Sequence, residues 1–234
     1  MNLAWIPNSL TMGNLLFGFF SIIFASNGQY VNAGIFILGA ALLDGLDGQA
    51  ARALKVQSEV GKELDSLADN VTFGVAPGYL AYQAYLSGII IPVFGKPIDL
   101  GMFIASIFPI CAAYRLARFN VKSVPDAFDG LPSPVAGVIL ALVPICFRDV
   151  YISKTLFGIL FVVVALLMVS TVRYVKPQSF IFKQITGIKL GIFIIVIIAL
   201  IFLFKQWTVF VFIALYIISG ILSFIIQLIQ DYRY

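Results

Sequence analysis

At 234 residues, with 61% hydrophobic and only 11% charged side chains and a mean hydropathy of +1.03, the chain reads as one polytopic membrane domain, not a soluble enzyme. The net charge of +4 is small, and the basic residues gather in short loops between apolar runs, so membrane topology accounts for them and no nucleic-acid partner is expected. There is no histidine, which removes Ser-His-Asp and Cys-His catalysis, the usual zinc sites and an imidazole proton relay; Cys111 and Cys146 lie in apolar stretches and read as packing residues.

In chain order the apolar runs predict an all-α bundle of eight spans at roughly 10–26, 32–53, 63–87, 98–119, 133–148, 154–174, 187–204 and 208–230. No basic segment precedes the first, so it reads as a retained span and not a cleaved signal. Its opening carries Asn8, Thr11 and Asn14 every third residue, one polar stripe near the helix start. The stripe either bonds neighbouring helices or lines a cavity and donates to a nucleotide base or phosphate.

The second span ends and the third begins in DGLDGQAARALKVQSEVGKELDSLAD, which sets Asp44, Asp47, Asp65 and Asp69 beside membrane helix. Asp44 and Asp47 are three apart and Asp65 and Asp69 four apart, so each pair shares a helix face. The polar turn between them lets the two helices fold back with the carboxylates facing. An ionised aspartate in a span costs about 2.5–3.5 kcal/mol, so a cation must sit among them, and oxygen-only ligands suit Mg2+, Mn2+ or Ca2+.

The fourth span ends in Tyr114-Arg115-Leu116-Ala117-Arg118-Phe119-Asn120, followed by Gly130-Leu131-Pro132-Ser133-Pro134. Without further information two such arginines read as topology anchors. The fifth span is short for a hydrocarbon core of about 30 Å. Asn70-Val71-Thr72 matches a glycosylation sequon in letters only, and Gly187 with Gly191 is a weak small-residue helix contact. Placing the amino terminus inside puts Arg52, Lys55, Lys62, Arg115, Arg118, Lys122, Arg173, Lys176, Lys183, Lys189 and Arg233 on the cytoplasmic side. Only Lys96, Arg148, Lys154 and Lys205 fall opposite, so the acidic cluster is expected at the cytoplasmic face of the cell membrane.

Written as spacing, the acidic stretch is D-x-x-D-G-x-x-A-R-x8-G-x-x-x-D-x-x-x-D, formed by Asp44, Asp47, Gly48, Ala51, Arg52, Gly61, Asp65 and Asp69. It resembles the full signature of the CDP-alcohol phosphotransferase family. That resemblance implies a two-metal phosphoryl-type transfer, with a pair of Mg2+ or Mn2+ ions and Ca2+ as another occupant. It implies Asp44, Asp47 and Asp65 as ligands and Asp69 as ligand or as the base taking the acceptor's proton, so Asp65 and Asp69 are the catalytic candidates. It places the CDP-linked donor against Gly48, Ala51, Arg52 and Gly61, joined by Asn8, Thr11 and Asn14. It also implies a six-helix catalytic core at 1–180 carrying two added helices at 181–234; a homodimer is the expected assembly.

Asp65-Ser66-Leu67-Ala68-Asp69 with Phe73-Gly74-Val75-Ala76-Pro77, the Arg115–Asn120 block and Gly130-Leu131-Pro132 are similar to the serine-accepting branch of that family. This implies CDP-diacylglycerol and L-serine as substrates, within membrane lipid. Arg115 and Arg118 would read the serine carboxylate, with Asn120 and Ser133 for its amine or hydroxyl. Phosphatidylglycerophosphate synthesis is the alternative reaction. A small cation transporter is the alternative outside catalysis, although acids confined to one face and a Gly-x-x-Ala-Arg run have no role in a pore.

Overall fold

A computed structural model describes residues 3–121, 127–175 and 206–231. The predicted span 187–204, Gly187 and Gly191, and Lys122, Lys176, Lys183, Lys189, Lys205 and Arg233 lie outside the described residues.

Helices α1 (Trp5–Ser26) and α2 (Tyr30–Leu54) form the first hairpin. Gly28, at φ +73°, makes the reversal, while the Gln29 N–H reaches back to the Phe24 carbonyl at 2.9 Å. Phe36 of α2 packs against Phe17, Phe20 and Phe24 with ring centroids 5.0–5.6 Å apart. The polar stripe of α1 is the start of a longer buried seam, Pro7, Thr11, Asn14, Gly18, Ser21 and Ala25, at helical spacing. Small residues there let the third span approach closely: a methyl at Gly18 would run into Thr72.

The third span is a continuous helix with two widened turns. α3 (Glu59–Asn70) passes through a π turn at Val71–Val75 into α4 (Ala76–Ala81), and a second π turn follows at Tyr82–Leu86. Pro77 accounts for the first: it has no N–H for the carbonyl one turn back, so the ladder widens and the Ala76 N–H bonds Val71 O. Ser58 starts α3 by accepting the Gly61 N–H at 3.0 Å.

α5 (Leu100–Val121), α6 (Ser133–Cys146), α7 (Lys154–Val169) and α8 (Gln206–Asp231) complete the helices among the described residues. α6 is only about 21 Å long at 1.5 Å per residue, yet it is buried from Ala136 to Leu142 on every side. It is the central helix, crossing α2 where Gly34 lies against the Ala141 carbonyl and the third span where Gly137 lies against Phe73. The main core joins Leu86, Phe108, Leu131, Ile139, Phe161, Met168 and Tyr174. α8 runs antiparallel to α6: Trp207 and Phe210 meet Phe147 at its far end, with centroids 4.9 and 5.4 Å away.

Helices α1, α2 and α5 are long and apolar enough to cross a bilayer, and α6, α7 and Phe210–Gly220 are shorter apolar segments. Leu16, Phe19, Ile35, Leu42, Met102 and Ile110 point outward from those three long helices. The molecule is a mostly helical membrane protein.

Two features depart from the all-α expectation. Ile90–Val93 (β1) and Lys96–Asp99 (β2) pair antiparallel around Phe94 and Gly95, whose φ values of +48° and +74° make a two-residue primed turn. The Gly88 and Gly101 N–H groups and the Tyr82 hydroxyl all donate to Asp99, holding its carboxyl below the usual carboxylate range. Ala127–Asp129 (β3) pairs with Arg173–Val175 (β4), so α7 stops at Val169 and does not continue to 174. The β-branched pair Thr171-Val172 leaves the helix, and the Val172 carbonyl accepts the Gly130 N–H at 2.8 Å just before β4 begins.

Candidate active site

The acidic stretch folds as the spacing requires. Lys55 closes α2 in a left-handed conformation (φ +54°), its N–H on the Ala51 and Arg52 carbonyls, and the chain returns at once into α3. Asp44, Asp47 and Asp65 then converge, each offering one oxygen within 4.8 Å of the others. Asp69 lies one turn further into the bundle, 7% exposed, and stands close enough to act electrostatically on Asp44.

The polar stripe of α1 steers these acids. Thr11 Oγ1 donates to Asp47 Oδ2 at 2.7 Å, and Asn14 Nδ2 donates to Asp69 Oδ1 at 3.1 Å. Asn14 is itself fixed, because Thr72 in the π turn donates to its carbonyl at 3.1 Å. The widened turn caused by Pro77 therefore bears on the position of Asp69. Thr72 was no site candidate in the sequence, where it entered only through the letters of the Asn70-Val71-Thr72 sequon.

Three carboxylates at this separation repel by about 3.5 kcal/mol per pair at an effective dielectric of 20. Within that triad the α1 stripe offsets this only by the neutral hydrogen bond from Thr11 to Asp47. Asp65 Oδ1 is buried and has no hydrogen-bond partner among the described residues. An oxygen-only, anionic set with an open coordination position fits a divalent cation, so these residues pass the test that a hard metal would set.

Beside the acids opens a cavity of about 630 Å3, lined by Asn8, Thr11, Asp47, Gly48, Ala51, Arg52, Gly61, Lys62, Asp65 and Phe119, among others. Every expected donor-binding residue except Asn14 lines it. At Gly48 an added methyl would meet only the Arg52 guanidinium, at 3.5 Å, so the space above this glycine belongs to the cavity. At Gly61 the methyl would crowd Ser58 Oγ and Asn8 Oδ1 at 3.1 and 3.3 Å.

Of the four expected acceptor residues, two come together. Arg115 is 6% exposed and donates from Nη1 to Ser133 Oγ at 2.7 Å; Ser133 is fully buried at the start of α6. Its guanidinium stands 5.8 Å from the ring centre of Phe119, which lines the cavity. Arg118 instead forks onto the Val169 and Ser170 carbonyls at 3.0 and 3.1 Å, closing the end of α7. Asn120 donates to Ser66 Oγ at 3.0 Å, and its carbonyl accepts from Lys62 Nζ. Sequence spacing could not reveal these partners, which lie more than fifty residues away.

The family model described as CDP-alcohol phosphatidyltransferase matches residues 4–170. The chain is 35% identical to a CDP-diacylglycerol–serine O-phosphatidyltransferase of Helicobacter pylori over 96% of this chain and 92% of that protein. It is 34% identical to the enzyme of that name from Methanocaldococcus jannaschii, over 81% of this chain and 83% of that one. The Bacillus subtilis protein of the same name is also 34% identical, over 73% of this chain and 89% of its own length. With the signature acids gathered beside the cavity and this match over most of its length, the chain belongs to the CDP-alcohol phosphatidyltransferase family.

Proposed function

We propose that this protein transfers the phosphatidyl group of CDP-diacylglycerol to the hydroxyl of L-serine, giving phosphatidylserine and CMP. The observation that carries it is the convergence of Asp44, Asp47 and Asp65 within 4.8 Å beside a cavity lined by the rest of the signature, in a chain similar to serine O-phosphatidyltransferases over most of its length. Asp44, Asp47, Asp65 and Asp69 would hold two Mg2+ or Mn2+ ions. When bound, these neutralise the donor diphosphate and the leaving phosphate.

The chain's own groups do the rest. Arg52 grips the donor diphosphate, and the cytidine lies over Gly48 and Ala51 with Asn8 and Gly61 at its edge. The serine oxygen attacks the lipid-side phosphorus. The bridging P–O bond breaks, CMP leaves with the bonding pair, and Asp69, held by Asn14, takes the hydroxyl proton. Arg115 and Ser133 contact the acceptor, and Arg118 and Asn120 complete that wall. Eight spans place this chemistry at the cytoplasmic face of the cell membrane, 181–234 adds two helices to the catalytic core, and the working form is a homodimer.

The test is CMP release by purified protein given CDP-diacylglycerol and, separately, serine, glycerol 3-phosphate or inositol phosphate. Release with serine alone is expected. Release with glycerol 3-phosphate and not serine would replace this reading with phosphatidylglycerophosphate synthesis.

A further inference from the structure

Among the described residues two cations line the cavity beside the acids, Arg52 of α2 and Lys62 of α3. The proposed chemistry gives Arg52 a ligand and Lys62 none. Yet α3 sets Lys62 between two groups that face that cavity. A methyl on Gly61, just before it, would crowd Asn8 Oδ1 at the cavity wall, and Asp65 follows almost one turn further into the bundle.

The carboxylates nearest to it along the helix do not take up its charge. Glu59 and Asp65 stand three residues to either side of Lys62 on α3 and line the same cavity, at the spacing where helical ion pairs form. Among the described residues Lys62 pairs with neither. Its Nζ donates instead to the Asn120 carbonyl at the end of α5, at 3.3 Å, and the rest of the ammonium stays open to a ligand. That bond holds the side chain across from α3 to α5, beside Phe119, which lines the cavity too. A point charge tethered at a cavity wall, with its neighbouring acids unused, is placed to receive an anionic group.

We infer that the Lys62 ammonium contacts the cytidine-side phosphate of the donor, the phosphate that leaves as CMP. This deepens the phosphatidyl-transfer reading and rests on it for the identity of the donor. With the cytidine against Gly48, Ala51 and Gly61 and the reacting phosphorus at the aspartates, the phosphate that joins them passes the turn of α3 carrying Lys62. Serine fits this position less well, because it is a zwitterion whose own ammonium would be repelled by a second one. When the serine oxygen has bonded to the lipid-side phosphorus, the bridging P–O bond breaks and its electron pair stays on the cytidylate oxygen. That phosphate gains negative charge as it leaves, so a cation touching it stabilises the transition state more than the bound donor.

Lys62→Gln removes the charge and keeps a donor for the Asn120 carbonyl. Calorimetric titration of the purified protein with CMP and with cytidine, at fixed Mn2+, reads the phosphate contact without turnover. Wild type should bind CMP more tightly than cytidine. Lys62→Gln should weaken CMP at least about tenfold and leave cytidine unchanged, and Lys62→Arg should keep most of the CMP affinity. In turnover Lys62→Gln should lower kcat and leave the KM for serine where it was. Unchanged CMP affinity in Lys62→Gln overturns the assignment, as does an equal weakening of CMP and cytidine in a variant that melts like wild type. A raised serine KM with CMP binding intact overturns it too, and moves Lys62 to the acceptor. Should Lys62→Gln melt early, Lys62→Met makes the same comparison. Wild type that binds CMP but transfers nothing to serine would sink the serine reading alone, and the two titrations would still decide the phosphate contact.

Discussion

Replacing Asp65 with asparagine should stabilise the metal-free protein while abolishing its activity. Asp65 faces Asp44 and Asp47 within 4.8 Å, so its charge takes part in two repulsions of about 3.5 kcal/mol each at an effective dielectric of 20. Its buried Oδ1 has no partner among the described residues, so the isosteric amide gives up no hydrogen bond there. Water and counterions at the open side of the cavity reduce the repulsion, and a realised gain of about 2 kcal/mol corresponds to roughly 4–8 °C in a chain of this size. The wild type should recover stability when a cation binds, by about 2.7 kcal/mol at a hundred times its dissociation constant. The assay is melting in detergent, followed by tryptophan fluorescence, first with chelator and then across titrations of Mg2+, Mn2+ and Ca2+. Wild type should rise with metal, and Asp65→Asn should start higher and respond less. A variant that melts lower in chelator and keeps the full metal response would refute the idea that these acids are held apart by repulsion and joined by a cation.

Arg52→Ala should raise the KM for CDP-diacylglycerol roughly ten- to a hundredfold and spare serine, measured by paired saturation curves. Arg118→Lys cannot fork onto both the Val169 and Ser170 carbonyls, so it should lower stability by about 1–2 kcal/mol and raise the serine KM less than Arg115→Lys does. Cysteines placed at Lys55 should label from the cytoplasm, and those at Lys96 and Lys154 from the opposite side; reversed labelling would remove the site from the face where it is proposed to work. Asp99 contributes to anchoring the β1–β2 hairpin only while ionised. Its carboxyl is held below the usual range, so that anchoring is present above an ordinary carboxylate pKa of about 4 and is lost as pH falls through the lower folded value. Amide exchange at Gly88 and Gly101 should therefore be slow at neutral pH and faster in Asp99→Asn.

The acids were legible because their spacing is a local property: three and four residues along a helix fix a face, and the Lys55 turn needed only polar residues to form. The same holds for the α1 stripe, where helical period aligned Asn8, Thr11 and Asn14, although which of them met an acid depended on how α1 crosses the others. Arg118 and Asn120 show where such reading stops. Their positions in the chain say nothing of Val169, Ser170 or Ser66, which tertiary packing brings to them. The two ribbons were hidden for another reason. Ile90, Ile91 and Val93 carry the apolarity of a span start, and β3 and β4 are separated by two helices, so neither periodicity nor composition could pair them. The π turn after Asp69 needed Pro77 to be read as a widened helix and not as a helix end.

The most direct measurement follows the oxygen. Serine labelled with 18O in its hydroxyl is incubated with CDP-diacylglycerol, Mn2+ and the purified protein, and both products are weighed by mass spectrometry. Attack by the serine hydroxyl on the lipid-side phosphorus predicts phosphatidylserine heavier by one 18O substitution and unlabelled CMP, with neither product formed by Asp65→Asn. Label recovered in a cytidylate product, or transfer that persists in Asp65→Asn, would contradict a phosphatidyl transfer carried out at these aspartates.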